Sequence, residues 1–264
     1  MTESHRPPPG QLRRGDQRSQ RGDFVVGGRR PAAEALRSGK AKRVLAISGS
    51  HRTEGMREIT AAARQAGVTI EWVERNVIEG FDVMDHQGVI AVVEPPRELD
   101  ERGLAAFAFS EDAIVVVLDG IMDPQNFGAC GRSAEAAGAS MLITRERRAA
   151  PLTPAALRAS AGAMLHLPVA RVTNITATLE RLQRRGFFVV GLDHRAEVSI
   201  HQAPPPTRPL ALVVGAEGAG ISRLVRETCD LLVSIPIAGR VASLNASAAL
   251  AVALFGYAAT SDKG

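Results

Sequence analysis

From Phe24 onward, short apolar runs alternate with amphipathic stretches, and the period of each run sets the element it predicts. RVLAI (43–47), TIEWV (69–73) and GVIAVV (88–93) read as strands. Between them, residues 31–37 and 57–66 have helical spacing, and each stretch runs into a glycine, Gly39 or Gly67, where a left-handed cap would end a helix. Together they predict a compact α/β unit. The EPPRELDERG stretch (94–103) follows, with two prolines and dense charge, and reads as a linker.

A second α/β series starts at AIVVVLDG (113–120). Further strand candidates are MLIT (141–144), HLPVA (166–170), FFVVGL (187–192), LALVVG (210–215) and LLVSIPI (231–237). These runs are continuously apolar, so both faces are expected to lie under helices in a mostly parallel sheet. Such a sheet binds ligands at the carboxyl ends of its strands.

Composition narrows the picture. In 264 residues, 45% are hydrophobic and 23% charged, enough for a large core without disulfides or metals. The net charge is +4 and arginine greatly outnumbers lysine, which suits an anionic partner recognised through phosphates and bases. Residues 1–22 hold five arginines against two acidic residues and almost nothing apolar, the composition of a solvated tail. Cys130 and Cys229 stand alone, without the spacing of a zinc site or a disulfide framework, so no metal is expected. The amino-terminal residues lack an apolar run, so no signal segment is expected, and the most apolar stretch, 246–259, is shorter than the roughly 20 residues a bilayer needs. No membrane association and a cytoplasmic location are therefore expected.

Three segments, each just after a predicted strand, are candidates for chemistry. In DGIMDPQNFGACGRSAEAAGA (119–139) a turn leads into a helix that begins near Asn126 and carries Arg132 about two turns in. In VVGAEGAGIS (213–222) glycines 215, 218 and 220 let backbone approach a ligand, with Glu217 held between them and Ser222 in position to cap a helix. In SIPIAGRVASLNASAALAVALF (234–255) a loop of small residues leads through Ser243 and Asn245 into a helix apolar nearly all round, which must be buried centrally or face another subunit. Taken singly, each has a bland explanation: one arginine on a helix, a tight turn, a helix cap. None is a Walker loop or a GxGxxG fingerprint.

In that order and at those separations, DPQNFGACGRSAEAAG, GAEGAGIS and IPIAGRVASLNASAAL resemble the three motifs of the SpoU, or TrmH-type, branch of the SPOUT methyltransferases, in its RlmB-like group. FVVGGRRPAAEAL (24–36) and HQGVIA (86–91) resemble the small α/β RNA-binding domain, related to a ribosomal protein fold, that precedes the catalytic domain in that group. The resemblance implies a tail over 1–22, a substrate-binding domain over 23–95, a linker over 96–110 and a catalytic domain over 111–264 with a carboxyl-terminal trefoil knot. It implies S-adenosylmethionine as cofactor, contacted by Gly215, Ile235 and Leu244, and methyl transfer to a ribose 2′-hydroxyl, of a guanosine in large-subunit rRNA. Arg132, Asn126, Glu217, Ser243 and Asn245 match the catalytic polar positions, and a homodimer is implied. Gly131 departs from the pattern, where an apolar residue is more usual, and makes the helix around Arg132 the point to check. Alternatives are a tRNA or antibiotic-resistance rRNA ribose methyltransferase, or an RNA-binding protein without catalysis. The intact Arg132, Glu217 and Ser243–Asn245 weigh against the last.

Overall fold

The computed structural model describes residues 24–258, apart from 51–52, 82, 84, 205 and 241–242; the basic tail lies outside the described residues. The first unit holds β1 (Phe24–Gly27), α1 (Arg29–Arg37), β2 (Ala41–Ile47), α2 (Glu54–Ala66), β3 (Ile70–Val73), α3 (Arg75–Glu79) and β4 (Val89–Val93). Its four-stranded sheet has the order β1-β4-β2-β3, with β2 and β3 parallel and the other pairs antiparallel. The expected glycines end the helices: Gly67 caps α2 at φ 68°, and Gly39, at φ 67°, follows α1.

The large unit comprises β5 (Glu98–Leu99), α4 (Glu101–Ala106), β6 (Ile114–Asp119), α5 (Pro124–Ala136), β7 (Met141–Arg145), α6 (Pro154–Ala159), β8 (Val169–Val172), α7 (Ile175–Arg184), β9 (Phe188–Leu192), β10 (Leu210–Gly215), α8 (Arg223–Thr228), β11 (Leu231–Val233) and α9 (Ala246–Ala258). Its seven strands run β11-β9-β10-β6-β7-β8-β5, every pair parallel. Along β6 and β10 the side chains alternate between two cores. Ile114, Val116, Leu118, Leu210, Leu212 and Val214 pack with α5, α6 and α9, while Val115, Val117, Ala211 and Val213 pack with α4, α7 and α8. Helices on both faces are why these strands read as unbroken apolar runs.

The stretch read as a linker contains β5 and α4. Leu99 and Leu104 dock into the second core, Asp100 caps α4 by accepting from the Gly103 N–H, and Glu101 receives the Thr173 N–H and hydroxyl. Side-chain anchoring, invisible to a turn-and-charge reading, orders it. The two units share one continuous apolar cluster, and His166 meets Glu34 at 2.7 Å across their junction.

Gly131 leaves α5 unbroken. A Cβ there would lie 2.7 Å from Met164 Cγ, and one at Gly128 would lie 2.2 Å from the Ala156 carbonyl oxygen, so both glycines let α5 sit tightly on the segment 154–165. Among the described residues no helix is long and apolar enough to cross a membrane.

Candidate active site

Strands β6, β7 and β8 step outward in one direction, after which the chain crosses back to lay β9, β10 and β11 on the other side of β6. A crevice forms where the order reverses, at the carboxyl ends of the strands. Beside it, at the carboxyl ends of β9, β10 and β11, opens a cleft of about 200 Å³ bounded by Leu192 and Asp193 at the end of β9, Gly215 and Glu217 at the end of β10, Ile235 after β11, and Ser243 and Leu244 ahead of α9.

The β10 turn is very tight. A Cβ on Gly215 would stand 2.0 Å from the Gly220 carbonyl carbon, and Gly220 N–H donates to the Ala216 carbonyl at 2.8 Å, with Gly218 and Gly220 at φ 77° and 69°. The fold-back needs glycine at these positions and leaves Glu217 projecting into solvent. Ser222 stands at the N-cap position of α8, but its side chain makes no cap bond. Its N–H donates instead to Asp119 Oδ2 at 2.7 Å.

Asn245 joins the three candidate segments. Its amide nitrogen donates to Asn126 Oδ1 at 2.8 Å and, at a long 3.5 Å, to Glu217 Oε2. Its Oδ1 accepts from Ser247 N–H at 2.9 Å and Ser247 Oγ at 2.7 Å, closing the first turn of α9. One side chain therefore caps a helix and ties loops 119 residues apart in sequence, so the bland and the functional explanations both hold. Asn126 is presented by α5, which starts at Pro124 with Asp123 as cap, accepting from Asn126 N–H at 2.9 Å.

Gly215, Glu217, Ile235, Ser243 and Leu244 thus line one cleft, and Asn126 and Asn245 brace it. Arg132 does not line the cleft of its own chain: it lies exposed on α5, a helix packed beside α9.

Two buried aspartates at strand ends were not among the expected residues. Asp119 closes β6 and is paired with Arg145 at 2.6 Å. Asp193 follows β9 in the cleft wall and is paired with Arg195 at 3.0 Å and Arg226 at 2.6 Å. Burial disfavours the charged form of Asp193, but the bonds from Arg195 and the charges of Arg195 and Arg226 outweigh it and hold the carboxyl below its usual range. A lone acidic residue ending an apolar parallel strand was the available signal for both.

Residues 113–255 match the family described as the SpoU rRNA Methylase family, and residues 25–99 match RNA 2'-O ribose methyltransferase substrate binding. The chain is 44% identical over 191 residues to the 23S rRNA (guanosine-2'-O-)-methyltransferase RlmB of Vibrio cholerae, covering 72% of this chain and 77% of that protein. It is 40% identical over 228 residues to RlmB of Pseudomonas syringae pv. tomato, covering 85% and 91%. Among solved structures, the SpoU methyltransferase AviRb from Streptomyces viridochromogenes in complex with the cofactor AdoMet superposes with a TM-score of 0.73 at 28% identity, covering 92% of each chain. An all-parallel sheet with three motif loops gathered at its carboxyl edge, and matches over both units, lead to one conclusion: this chain belongs to the SpoU rRNA methylase family.

Proposed function

We propose that the protein transfers a methyl group from S-adenosylmethionine to a ribose 2′-hydroxyl of RNA, that of a guanosine in large-subunit rRNA. The observation that carries this is the cleft at the carboxyl ends of β9, β10 and β11, braced by the Asn126–Asn245–Glu217 contacts. Its lining suits the cofactor: apolar walls from Leu192, Val214, Val233 and Ile237 for adenine, a tight glycine turn offering backbone groups, and the carboxylate of Glu217 beside a ligand that carries a sulfonium and an ammonium. Gly215, Ile235 and Leu244 would hold it, largely through backbone. When bound, it supplies a methyl group on a positively charged sulfur.

The chain's residues have the rest of the work. A ribose hydroxyl attacks poorly until its proton is removed or its developing charge is stabilised. We assign that role to Arg132. A guanidinium stays protonated at ordinary pH, so it positions an RNA phosphate and stabilises the charge growing on O2′. Asn126 and Asn245 hold the loops in register, Glu217 anchors Asn245, and Ser243 faces the cleft where the sugar would enter.

Because Arg132 is outside the cleft of its own chain, we assign its action to a homodimer in which it reaches the partner's cleft. The outer side of α9 supports this, with Val252 and Phe255 exposed at 43% and 49%. The return of the chain from edge strand β11 to α9, against α5 and β10, supports a knotted carboxyl-terminal part. Residues 198–200 bond to Ser234 across that path. Action on rRNA puts the protein in the cytoplasm. The domain limits 23–95 and 111–264 remain our division, with 96–110 between them.

Arg132→Ala tests the assignment. Methyl transfer to an rRNA transcript should be abolished while S-adenosylmethionine binding, followed by calorimetry, stays within about twofold of wild type. Retained turnover would refute it.

A further inference from the structure

A second cleft, of about 410 Å³, lies in the small unit, bounded by Ile47, Ser50, Arg75, Asp85, His86 and Gln87. We propose that it is a base-reading site that takes an unpaired guanosine of the RNA substrate, with the Asp85 carboxylate as the discriminating group. The inference rests on the RNA-methyltransferase reading and adds to it a second point of recognition, away from the methylated nucleotide. β4 starts beside this cleft and ends where the chain leaves for the large unit, so about 15 Å of strand separates the two.

Three observations lead there. First, the cleft rim is a held loop: Asp85 and Gln87 have φ of 55° and 49°, a region unfavourable to residues other than glycine, and strain of this kind collects at binding sites. The loop is kept in place by Ile47 N–H donating to the Gly88 carbonyl, Val89 N–H to the His86 carbonyl, and Gly88 N–H to His86 Nδ1 at 3.0 Å. With Nδ1 accepting, Nε2 is the ring nitrogen left to donate.

Second, the free groups are of mixed kind. Asp85 is exposed, and its carboxylate has no hydrogen bond or ion pair among the described residues; it offers two acceptors side by side. Gln87 Oε1 already faces the Arg29 N–H, at 3.5 Å, which leaves its amide N–H₂ group free to donate. Ile47 adds an apolar wall. A site built for phosphate alone has no use for a carboxylate, whereas an unstacked base shows donors and acceptors along its edge and an apolar face. Guanine is the base whose pairing edge presents two adjacent N–H donors, N1–H and N2–H, which match a carboxylate; O6 beside them accepts, as from His86 Nε2.

Third, the surrounding charge suits RNA. Arg29, Arg30 and Arg75 have no ion pair among the described residues. The unpaired guanidiniums would meet the sugar–phosphate backbone on either side of a splayed-out base.

The sign of one substitution separates base reading from mere proximity to RNA. Asp85→Asn keeps the size and tolerates the left-handed backbone, but replaces one acceptor with a donor that opposes guanine. If Asp85 reads a base, the Kd for a protein-free large-subunit rRNA transcript, measured by filter binding, rises on the order of tenfold, the effect of losing a bidentate base contact. S-adenosylmethionine affinity and the circular dichroism spectrum stay as in wild type, and His86→Ala weakens transcript binding in the same direction. If the cleft only borders phosphates, removing the negative charge tightens binding. A tighter or unchanged Kd for Asp85→Asn, or wild-type affinity for His86→Ala, would overturn the proposal. A wild-type protein that transfers no methyl to the transcript would instead defeat the methylation reading, and the Kd comparison would still decide the cleft.

Discussion

Gly128→Ala is the sharpest test of how the first motif is mounted. The new Cβ would lie 2.2 Å from the Ala156 carbonyl oxygen and 2.6 Å from Ala159 Cβ, against an ordinary contact of 3.4 Å or more, so α5 and α6 must part by about 1.2 Å. The obstacle is largely backbone and cannot rotate away. Alanine favours a helix over glycine by about 1 kcal/mol, while overpacking a core costs roughly 1–3 kcal/mol and more when backbone must move. The net destabilisation is about 2 kcal/mol, a fall in Tm of about 4–8 °C for a chain of this size. Since α5 presents Asn126 to Asn245, S-adenosylmethionine binding should weaken with it. Melting followed by circular dichroism gives the Tm and calorimetry the affinity. A variant as stable as wild type, or more so, would show that α5 and α6 are not locked in the way described.

The neighbouring Gly131→Ala should shift Tm by less than about 2 °C, because the atoms it meets belong to the flexible Met164 side chain. A loss as large as that of Gly128→Ala would contradict the distinction. Asn245→Ala should cost about 1–2 kcal/mol in urea unfolding and also weaken donor binding, whereas Asn245→Ser should restore the cap and the stability but not the binding; recovery of both would remove the bridging role. Asp193→Asn should lower stability by about 2 kcal/mol at pH 7. The folded carboxyl is held low, so its contribution is present above the unfolded value near 4 and lost as pH falls from there through the lower folded value, and the gap between the unfolding midpoints of variant and wild type should narrow steadily below pH 4. A gap that stays constant as pH falls would rule out the ion pairs as its source. Burial raises both thiols, Cys130 and Cys229, to about 12, so neither should react with a thiol reagent at pH 8 until urea is added. Between about 9 and 12 only the unfolded chain ionises, so their contribution to stability falls as pH rises through that window. Rapid labelling of the folded protein would mean that the helix packing opens.

The parallel sheet was legible because β6 and β10 are apolar on both faces, a pattern that solvent-facing strands cannot keep. β5 was not, since two residues carry no period and the flanking prolines signalled a turn; what fixes it is pairing with β8 and the contacts of Leu99 and Glu101. At the site, Gly215, Ile235 and Leu244 could be placed from motif order. The joining of Asn126 to Asn245 could not, because residues 119 positions apart meet only through the strand reversal. Asp119 and Asp193 were passed over because a single acid at a strand end is common in sequence, and their arginine partners, Arg145 and Arg226, lie on other elements. The suspicion raised by Gly131 dissolved for a similar reason: the thioether that fills its place comes from Met164, beyond the end of α6.

The donor cleft takes its walls from Leu192 through to Ala249. Ribosomes make proteins from the amino end, so the small unit and all strands of the large sheet are synthesised before the stretch that completes the pocket. A half-made polypeptide therefore has nowhere to keep a methyl donor, and a message broken ahead of the codon for Ser243 yields a product whose pocket is never closed.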